Sequence, residues 1–380
     1  MSHAPSDALR HRHQAIRAVL AARELDALIV TSLPNVLYLT NFTGSTAIVV
    51  LTAERLYFLT DFRYVTVMNE ACDTPHACQG LELVTVDGSY DGALAKLLGS
   101  LKLGRVGFEA AHLTVNRHAW LTDTLARQAG VAPSLVATEG IVERARLCKD
   151  EYEVHTLREA ARRLSAVAVA VLGDVHAGRT EKDLALAIDW RIRQGGFERS
   201  AFETIVASGP NGARPHARPG ERRLGEGDVV VLDFGGVYDS YCVDLTRTVA
   251  VGRASARARE VYGAVREAHD SAVRAVEPGR SRFDVDGAAR RVLGERGLGE
   301  AFGHGTGHGL GIEVHEDPRI VRRRAYTDTR DEHLAPGMVF TIEPGAYLPD
   351  WGGVRIEDDV LVSTSGVEVL TDVTTDLLEL

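Results

Sequence analysis

The sequence predicts a two-domain α/β (α+β) protein, in which a small α/β domain precedes a larger domain built from an internal repeat. Three observations predict this class. The length of 380 residues exceeds what one ordinary hydrophobic core holds. Helix-like and strand-like segments alternate before Pro133, and the order helix, helix, hairpin occurs twice after it. We place the boundary so that the two domains are residues 1–140 and 141–380.

Apolar periodicity in the first domain predicts helices and strands in turn. A helix is expected at residues 6–23, and an apolar strand follows at residues 27–31. Further strands are predicted at residues 47–51, 56–60, 81–86 and 105–109, and further helices at residues 92–101 and 115–128. This alternation is typical of helices packed over a sheet.

The second domain begins with helices and continues with strands. A long amphipathic helix is predicted at residues 150–174. The next helix begins at Thr180, whose hydroxyl can cap it, and ends at the glycines 195–196. Strands at residues 228–238 and 241–251 are predicted to form a hairpin.

A sequence repeat organises this second domain. Segment 178–184 (GRTEKDL) has an echo at 279–285 (GRSRFDV), and each copy follows a helical stretch and precedes a helix and then strands. We interpret the repeat as an internal duplication with a pseudo-two-fold axis. A concave sheet made from two such halves is a natural place for a central site.

Composition excludes several classes of function. The net charge is −10 and the pI is near 5.8, with no basic stripe for phosphates, so no nucleic acid is expected as a partner. The longest apolar runs, such as residues 47–51, fall far short of the ~20 residues that span a bilayer, and the first 23 residues contain no secretory apolar region. The four cysteines are irregularly spaced and include no CxxC pair, which favours reduced structural thiols. We therefore expect a cytoplasmic protein without a membrane partner.

Two aspartates lie in the predicted hairpin. If residues 239–240 form the turn, Asp233 faces Thr246, and Asp244 becomes its diagonal neighbour on the same face. Two carboxylates on one face of apolar strands repel each other unless a cation lies between them. A bulge at the glycines 235–236 would change this register, and solvated strand-end acids are the alternative.

Three histidines cluster around a glycine-rich segment, residues 304–311. Its four glycines exclude a stable helix, so His304 and His308 do not form a helical zinc motif. A nucleotide-binding loop fits poorly, because strand-like residues rather than a helix follow. Glycine here lets the backbone pass close to a ligand, and His315 completes the group.

Two further acids end strand-like runs. Glu343 and Glu357 each follow apolar residues, and Arg355 shares strand parity with Glu357. Either acid alone suits a strand that leaves the core for solvent. Together, four carboxylates and an imidazole suit Mn²⁺, Co²⁺, Fe²⁺ or Zn²⁺, and exceed the needs of one ion. Two divalent ions would use them fully.

The sequence around these residues resembles the "pita-bread" metallopeptidases of family M24. The matching positions are that family's metal ligands, in order: Asp233, Asp244, His308, Glu343 and Glu357. The resemblance implies a pita-bread catalytic domain at residues 141–380 and two divalent metal ions. Mn²⁺ is the expected metal, with Co²⁺, Zn²⁺ and Fe²⁺ as alternatives.

Other segments resemble the proline-directed branch of this family, aminopeptidase P and prolidase. His216, between a proline and an alanine, matches its substrate-side histidine, and His304 and His315 match two further active-site histidines. Segments 38–45 and 60–64 resemble the creatinase-N-like domain of that branch. The resemblance implies a homodimer that cleaves peptides with proline at the second position.

The resemblance also implies a role for each metal ligand. Asp233 would bind one ion, Asp244 and Glu357 would bridge both, and Glu343 and His308 would complete the shell of the second. Hydroxide between the ions would attack the scissile carbonyl, with Glu343 as the proton carrier.

The remaining candidates would act around the substrate. His216 and His315 would steady the oxyanion or the proline-side carbonyl, and His304 would shape the proline pocket. Arg355 would anchor Glu357 or the neighbouring acids.

The sequence favours an Xaa-Pro aminopeptidase, with an Xaa-Pro dipeptidase (prolidase) as the alternative. A dipeptidase needs a cation for the free carboxylate of its substrate, and Arg319 and Arg63 are candidates. A metal-free creatinase-like hydrolase and a non-catalytic peptide-binding module are less favoured, because all five ligand positions are kept.

Overall fold

A computed structural model of the chain describes residues 3–128, 132–323 and 331–380. These residues group into two units, Met1–Arg146 and Leu147–Leu380. None of the helices in those three ranges combines the length and the apolar character that a membrane-crossing segment needs.

The described residues of the first unit are built around one six-stranded sheet. In chain order its elements are α1 (Ser6–Ala22), β1 (Ala27–Val30), α2 (Leu33–Thr40), β2 (Ile48–Thr52), β3 (Leu56–Thr60), α3 (Phe62–Ala71), β4 (Leu81–Thr85), α4 (Tyr90–Ser100), β5 (Arg105–Glu109), α5 (Val115–Arg127), β6 (Ser134–Thr138) and α6 (Ile141–Leu147). The strand order is β4-β3-β2-β1-β5-β6, and β2 runs antiparallel to both of its neighbours. The predicted alternation of helices and strands is confirmed.

Among the described residues of this unit, three helices, α2, α3 and α6, have no counterpart among the sequence predictions. At the start of α2 the carboxylate of Glu109 accepts hydrogen bonds from the backbone amides of Thr31 and Ser32, at 2.7 and 2.8 Å. It also accepts one from the side chain of Asn35, at 2.6 Å. These partners are more than 70 residues apart in sequence, so local propensity does not reveal the helix.

In its described residues, the second unit has two sheets, a short hairpin and four long helices. Its elements are α7 (Glu151–Leu172), α8 (Glu181–Gln194), β7 (Arg199–Ser200), β8 (Ile205–Ser208), β9 (Val229–Tyr238), β10 (Tyr241–Ala250), α9 (Ala256–Arg274), α10 (Arg282–Glu295), β11 (Gly307–Gly309), β12 (Glu316–Ile320), β13 (Val339–Ile342), β14 (Gly345–Leu348), β15 (Gly352–Arg355), β16 (Asp358–Ser363) and β17 (Gly366–Val369). One sheet has the order β10-β9-β7, with β8 also paired to β9, and the other has the order β12-β11-β13-β16-β17.

The internal repeat is visible in the backbone hydrogen bonds. In the first copy the Gly178 amide donates to Leu224 O at 2.8 Å, and in the second the Gly279 amide donates to Leu334 O at 2.7 Å. Both glycines have positive φ, 87° and 81°, a conformation that favours glycine. The two copies therefore form the same turn at the same place, as the repeat predicts.

Each repeat packs its helices mainly over its own strands. In the first, Leu164 of α7 and Leu245 of β10 belong to one buried cluster. In the second, Val265 of α9 and Phe340 of β13 belong to another. This arrangement buries the apolar face of each sheet and leaves the opposite faces to form the site.

Candidate metal and substrate site

A cavity of about 550 Å³ lies in the second unit. All nine side chains singled out from the sequence line it, namely His216, Asp233, Asp244, His304, His308, His315, Glu343, Arg355 and Glu357. The structure therefore brings together residues that are up to 141 positions apart.

The first two carboxylates project from the β9–β10 hairpin. Asp233 pairs with Thr246 as predicted, and Asp244 lies two residues away on the same strand face. The turn residues Asp239 and Ser240 have φ values of 49° and 68°, as a tight hairpin turn requires. The pairing is continuous over both strands, so the paired glycines of β9 do not shift the register.

The other two carboxylates come from the second repeat. Glu343 follows β13, and its amide donates to Thr306 O at 2.7 Å. Glu357 precedes β16 and forms an isolated antiparallel bridge with Thr246. The Thr246 hydroxyl also donates to the Glu357 carboxylate at 2.6 Å. Thr246 therefore fixes both the backbone and the side chain of Glu357.

His308 lies in β11, between two glycines that have little space around them. A Cβ at Gly307 would collide with the backbone carbonyl of Thr341, and one at Gly309 would collide with that of Asp317. The glycine-rich pattern therefore reflects close backbone packing around the histidine.

The donor atoms of three of these residues suit a metal ion. Ligand atoms of Asp244, His308 and Glu357 lie within 4.8 Å of one another. His308 Nε2 is also 3.8 Å from Glu343 Oε1. Asp244 Oδ1 is buried and accepts no hydrogen bond within the described ranges. A buried oxygen without a partner, beside an imidazole and other carboxylates, fits a divalent cation.

Electrostatics support the same reading. Burial and the charge of Glu357 hold the pKa values of Asp244 and Glu343 well above their usual range. Burial, followed by the charge of Asp233, raises the pKa of Glu357 to about 7. Burial lowers the pKa of His308 to about 3, which keeps the imidazole in its neutral, metal-binding form. A cation among these groups would offset the repulsion between the carboxylates.

Arg355 is the buried cation of the site, with 3% of its surface exposed. Its guanidinium pairs with Asp233 and donates to the Thr246 hydroxyl at 3.1 Å and to Tyr347 Oη at 2.8 Å. The sequence analysis expected Arg355 to anchor either Glu357 or a neighbouring acid, and in the structure Arg355 pairs with the neighbouring acid Asp233.

The three further histidines occupy different depths. His304 is within 2.8 Å of both Gly305 O and Tyr347 Oη, and burial lowers its pKa to about 4. The neutral ring therefore donates to the carbonyl and accepts from the tyrosine. His315 and His216 are exposed, and the ring of His315 lies 4.4 Å from that of His308 between centroids.

Sequence reasoning missed Tyr347, which connects His304 to Arg355. It lies in β14, and strand parity places it on the same face as Gly345, two residues after Glu343. A Cβ at Gly345 would lie 2.6 Å from Tyr347 Oη, so the glycine makes room for the hydroxyl. Period two along residues 343–347 was the signal available in the sequence.

The two arginines considered for a substrate carboxylate differ in position. Arg319 is exposed and lines the cavity, and its Nη2 is 3.4 Å from His315 O. Arg63 lies in the first unit, where its guanidinium makes a paired contact with the Asp61 carboxylate at 2.7 and 2.8 Å.

Comparison with known proteins identifies the class. The model of metallopeptidase family M24 matches residues 155–364, and that of the creatinase/prolidase N-terminal domain matches residues 12–148. The chain belongs to metallopeptidase family M24, and the fold and family expected from the motifs are confirmed.

Individual relatives cover almost the whole chain. The uncharacterized peptidase YqhT of Bacillus subtilis is 35% identical over 358 residues, which are 94% of this chain and 97% of the relative. A solved Xaa-Pro dipeptidase from Bacillus anthracis has a TM-score of 0.90 and 34% identity, and the match covers 98% of this chain and 100% of that one. A solved X-Pro aminopeptidase from Thermotoga maritima has a TM-score of 0.84 and 30% identity, over 94% and 98% of the two chains.

Proposed function

We propose that this protein is a metal-dependent Xaa-Pro exopeptidase that acts as an Xaa-Pro dipeptidase. The observation that carries the proposal is the buried group Asp244, His308 and Glu357, whose donor atoms lie within 4.8 Å of one another at the floor of the cavity. The names of the similar structures support a substrate with proline at the second position.

The residues that would hold the metal are the five predicted ligands, Asp233, Asp244, His308, Glu343 and Glu357. Two divalent ions bound there would lower the pKa of a water molecule and polarise the scissile carbonyl. The oxygen-rich set favours Mn²⁺, with Co²⁺, Zn²⁺ and Fe²⁺ as alternatives.

Glu343 is suited to carry the proton. About a fifth of its side chain is exposed (19%), whereas that of Asp244 is only 7% exposed, so Glu343 reaches the part of the cavity open to substrate. The leaving group is the nitrogen of proline, which must gain a proton to depart as an amine. Glu343 would take a proton from the attacking water and pass it to that nitrogen.

The histidines and the arginine would hold the substrate and the ligands. His216 and His315 lie on the exposed side of the cavity, where an imidazole can donate to a substrate carbonyl. His304 is already bonded through both ring nitrogens, which suits shaping the proline pocket rather than proton transfer. Arg355 would hold Asp233 in place, and Tyr347 supports it.

The choice between dipeptidase and aminopeptidase depends on the substrate's free carboxylate. The sequence favoured the aminopeptidase, but the dipeptidase names among similar proteins and the position of Arg319 in the cavity favour the dipeptidase. The aminopeptidase is the second candidate, because the Thermotoga maritima structure carries that name at 30% identity.

The test is hydrolysis of Ala-Pro and of Ala-Pro-Ala, with Mn²⁺ added and after chelation. We expect metal-dependent cleavage of Ala-Pro and little cleavage of the tripeptide. Cleavage of both after the first residue would instead make the enzyme an aminopeptidase. Metal-independent cleavage would favour a creatinase-like hydrolase, and binding without turnover would favour a peptide-binding module.

The variant Arg319→Met tests whether Arg319 binds the free carboxylate of the dipeptide substrate. We expect KM for Ala-Pro to rise while KM for Ala-Pro-amide, which lacks the carboxylate, stays unchanged. An equal change for both substrates would remove Arg319 from carboxylate recognition.

The same proposal includes a cytoplasmic homodimer. All four cysteines are free, which suits a reducing compartment. The dimer is expected from the resemblance to the proline-directed branch, and light scattering after size exclusion tests it; a monomer would contradict it.

A further inference from the structure

The cavity wall that carries His216 is the segment 209–219, between β8 and the residues that precede β9. It begins with a short 3-10 helix, Gly209–Ala213, and we call the whole segment the His216 loop. Pro215, His216 and Arg218 of this loop all line the cavity. His216 is exposed, so its position depends on how the loop is anchored and not on burial of the ring itself. The anchor lies at the first residue of α8, within the repeated sequence motif.

Glu181 is fully buried, with 0% of its surface exposed, and it joins the two ends of this loop. At one end its carboxylate accepts from the Ser208 amide at 2.8 Å, the Ser208 hydroxyl at 2.7 Å and the Asn211 side chain at 3.0 Å. At the other end it accepts from the Gly220 amide at 3.2 Å. A charged acceptor shared by both ends closes the loop at its base.

The backbone around Glu181 reinforces this closure. Its own amide donates to Arg222 O, and the next amide, of Lys182, donates to Gly220 O, each at 3.0 Å. At the cavity side of the loop, Arg355 Nη1 is 3.3 Å from Pro215 O. The loop is therefore held at its base by α8 and near His216 by the arginine of the site.

The second repeat uses the equivalent residue in the same way. Arg282 occupies the position of Glu181 in the repeated motif and is also buried, with 6% of its surface exposed. Its Nη1 donates to Arg319 O at 2.8 Å, and Arg319 also lines the cavity. The first residue of α8 and the first residue of α10 thus each hold a segment of the cavity wall. The first is the anion Glu181 and the second is the cation Arg282.

We propose that Glu181 is a positioning residue that fixes the His216 loop for the reaction. This inference rests on the proposed Xaa-Pro peptidase function. Glu181 touches none of the five metal ligands through a described hydrogen bond, so its replacement is expected to affect the substrate side of the site and to leave metal binding intact.

The test compares Glu181→Gln with a matched control, Glu109→Gln in the first unit. Both carboxylates accept from two backbone amides, one asparagine side chain and one hydroxyl. A glutamine cannot accept through its NH₂ group, so each variant loses part of its set. Both should lose stability, whereas only Glu181→Gln should lower kcat/KM for Ala-Pro, by roughly 10- to 100-fold, at unchanged metal content.

A double-mutant cycle separates positioning from a general defect. In a His216→Ala background, Glu181→Gln should change kcat/KM by no more than about 2-fold, because the group that it positions is absent. An undiminished effect in that background, or an effect no larger than that of Glu109→Gln, would overturn the inference. Asn211→Ala removes one partner of Glu181 and should give the same pattern in weaker form if Glu181→Gln does not fold.

Hydrogen exchange provides a readout that needs no activity. Peptides covering residues 209–219 should exchange faster in Glu181→Gln and unchanged in Glu109→Gln. Unchanged exchange would overturn the inference. If the wild-type protein cleaved no Xaa-Pro peptide, the proposed function would fail, while the exchange result would still decide whether Glu181 holds the loop.

Discussion

In metal-free protein, the stabilisation that Glu357 contributes by holding its proton is expected to disappear as the pH rises from 5.5 to 8. Glu357 has 2% of its surface exposed, and burial, followed by the charge of Asp233, raises its pKa from 4.5 to about 7. Because the folded pKa lies above the unfolded one, the native state binds this proton more tightly. The resulting stabilisation is complete below pH 4.5 and is lost as the pH rises through 7.

The size of this loss follows from the two pKa values of Glu357. A group with pKa 4.5 unfolded and about 7 folded contributes about 2 kcal/mol at pH 5.5 and almost nothing at pH 8. Asp244 and Glu343, whose pKa values are raised by burial and by the charge of Glu357, lose stabilisation in the same direction. His308 and His304, whose pKa values burial lowers to about 3 and about 4, change stability in the opposite direction over this pH range, so the contribution of Glu357 is measured against a variant that lacks it.

Urea unfolding of the chelated protein at both pH values measures the loss, with Glu357→Gln as the control. The variant lacks the titrating group, so the change in its unfolding free energy between pH 5.5 and 8 should differ from that of wild type by about 2 kcal/mol, with wild type losing more stability or gaining less. Saturating Mn²⁺ should restore stability at pH 8, where the carboxylates are ionised. The same change in unfolding free energy between the two pH values in wild type and variant would refute the reasoning.

Three further substitutions test the site and its support. Glu343→Gln should retain the fold and bound metal yet nearly abolish kcat for Ala-Pro; substantial turnover would remove Glu343 from the proton role. Thr246→Val removes the hydroxyl that lies 2.6 Å from the Glu357 carboxylate and should weaken metal affinity about 10- to 100-fold, measured by calorimetric titration. An unchanged affinity would show that the hydroxyl is dispensable. Lys149→Met deletes the cation 3.4 Å from the buried Glu316 and should cost about 3–5 kcal/mol in urea unfolding. A cost below about 1 kcal/mol would contradict that value.

The hairpin register was predictable because it depends on local rules. A two-residue turn at 239–240 and the period of two along a strand are enough to place Asp233 opposite Thr246 and Asp244 on the same face. The ligand order could be predicted for a different reason, since short sequence contexts around each ligand resemble those of a known family.

The supporting contacts were not predictable, because they join distant segments. Arg355 reaches Asp233 across 122 positions, and nothing in the local sequence of either residue distinguishes that pairing from one with Glu357. Glu181 looks like an ordinary first-turn acid, which the helix dipole alone would explain. Only the tertiary structure shows that its carboxylate accepts from Ser208 and Gly220 instead.

The asymmetry of the site rests on a symmetric backbone. The Arg355 amide, two residues before Glu357, donates to the hydroxyl of Thr248, two residues after Thr246, at 3.0 Å. In the same way, the Asp244 amide, two residues before Thr246, donates to the carboxylate of Asp359, two residues after Glu357, at 3.0 Å. The bridge between Thr246 and Glu357 therefore joins equivalent positions of the two repeats, and Asp244 and Arg355 are equivalent as well. At both pairs one repeat supplies a carboxylate, and the other supplies a hydroxyl or a guanidinium. Substitution at paired positions on one duplicated backbone is thus sufficient to give the cavity a carboxylate cluster and the arginine that holds it.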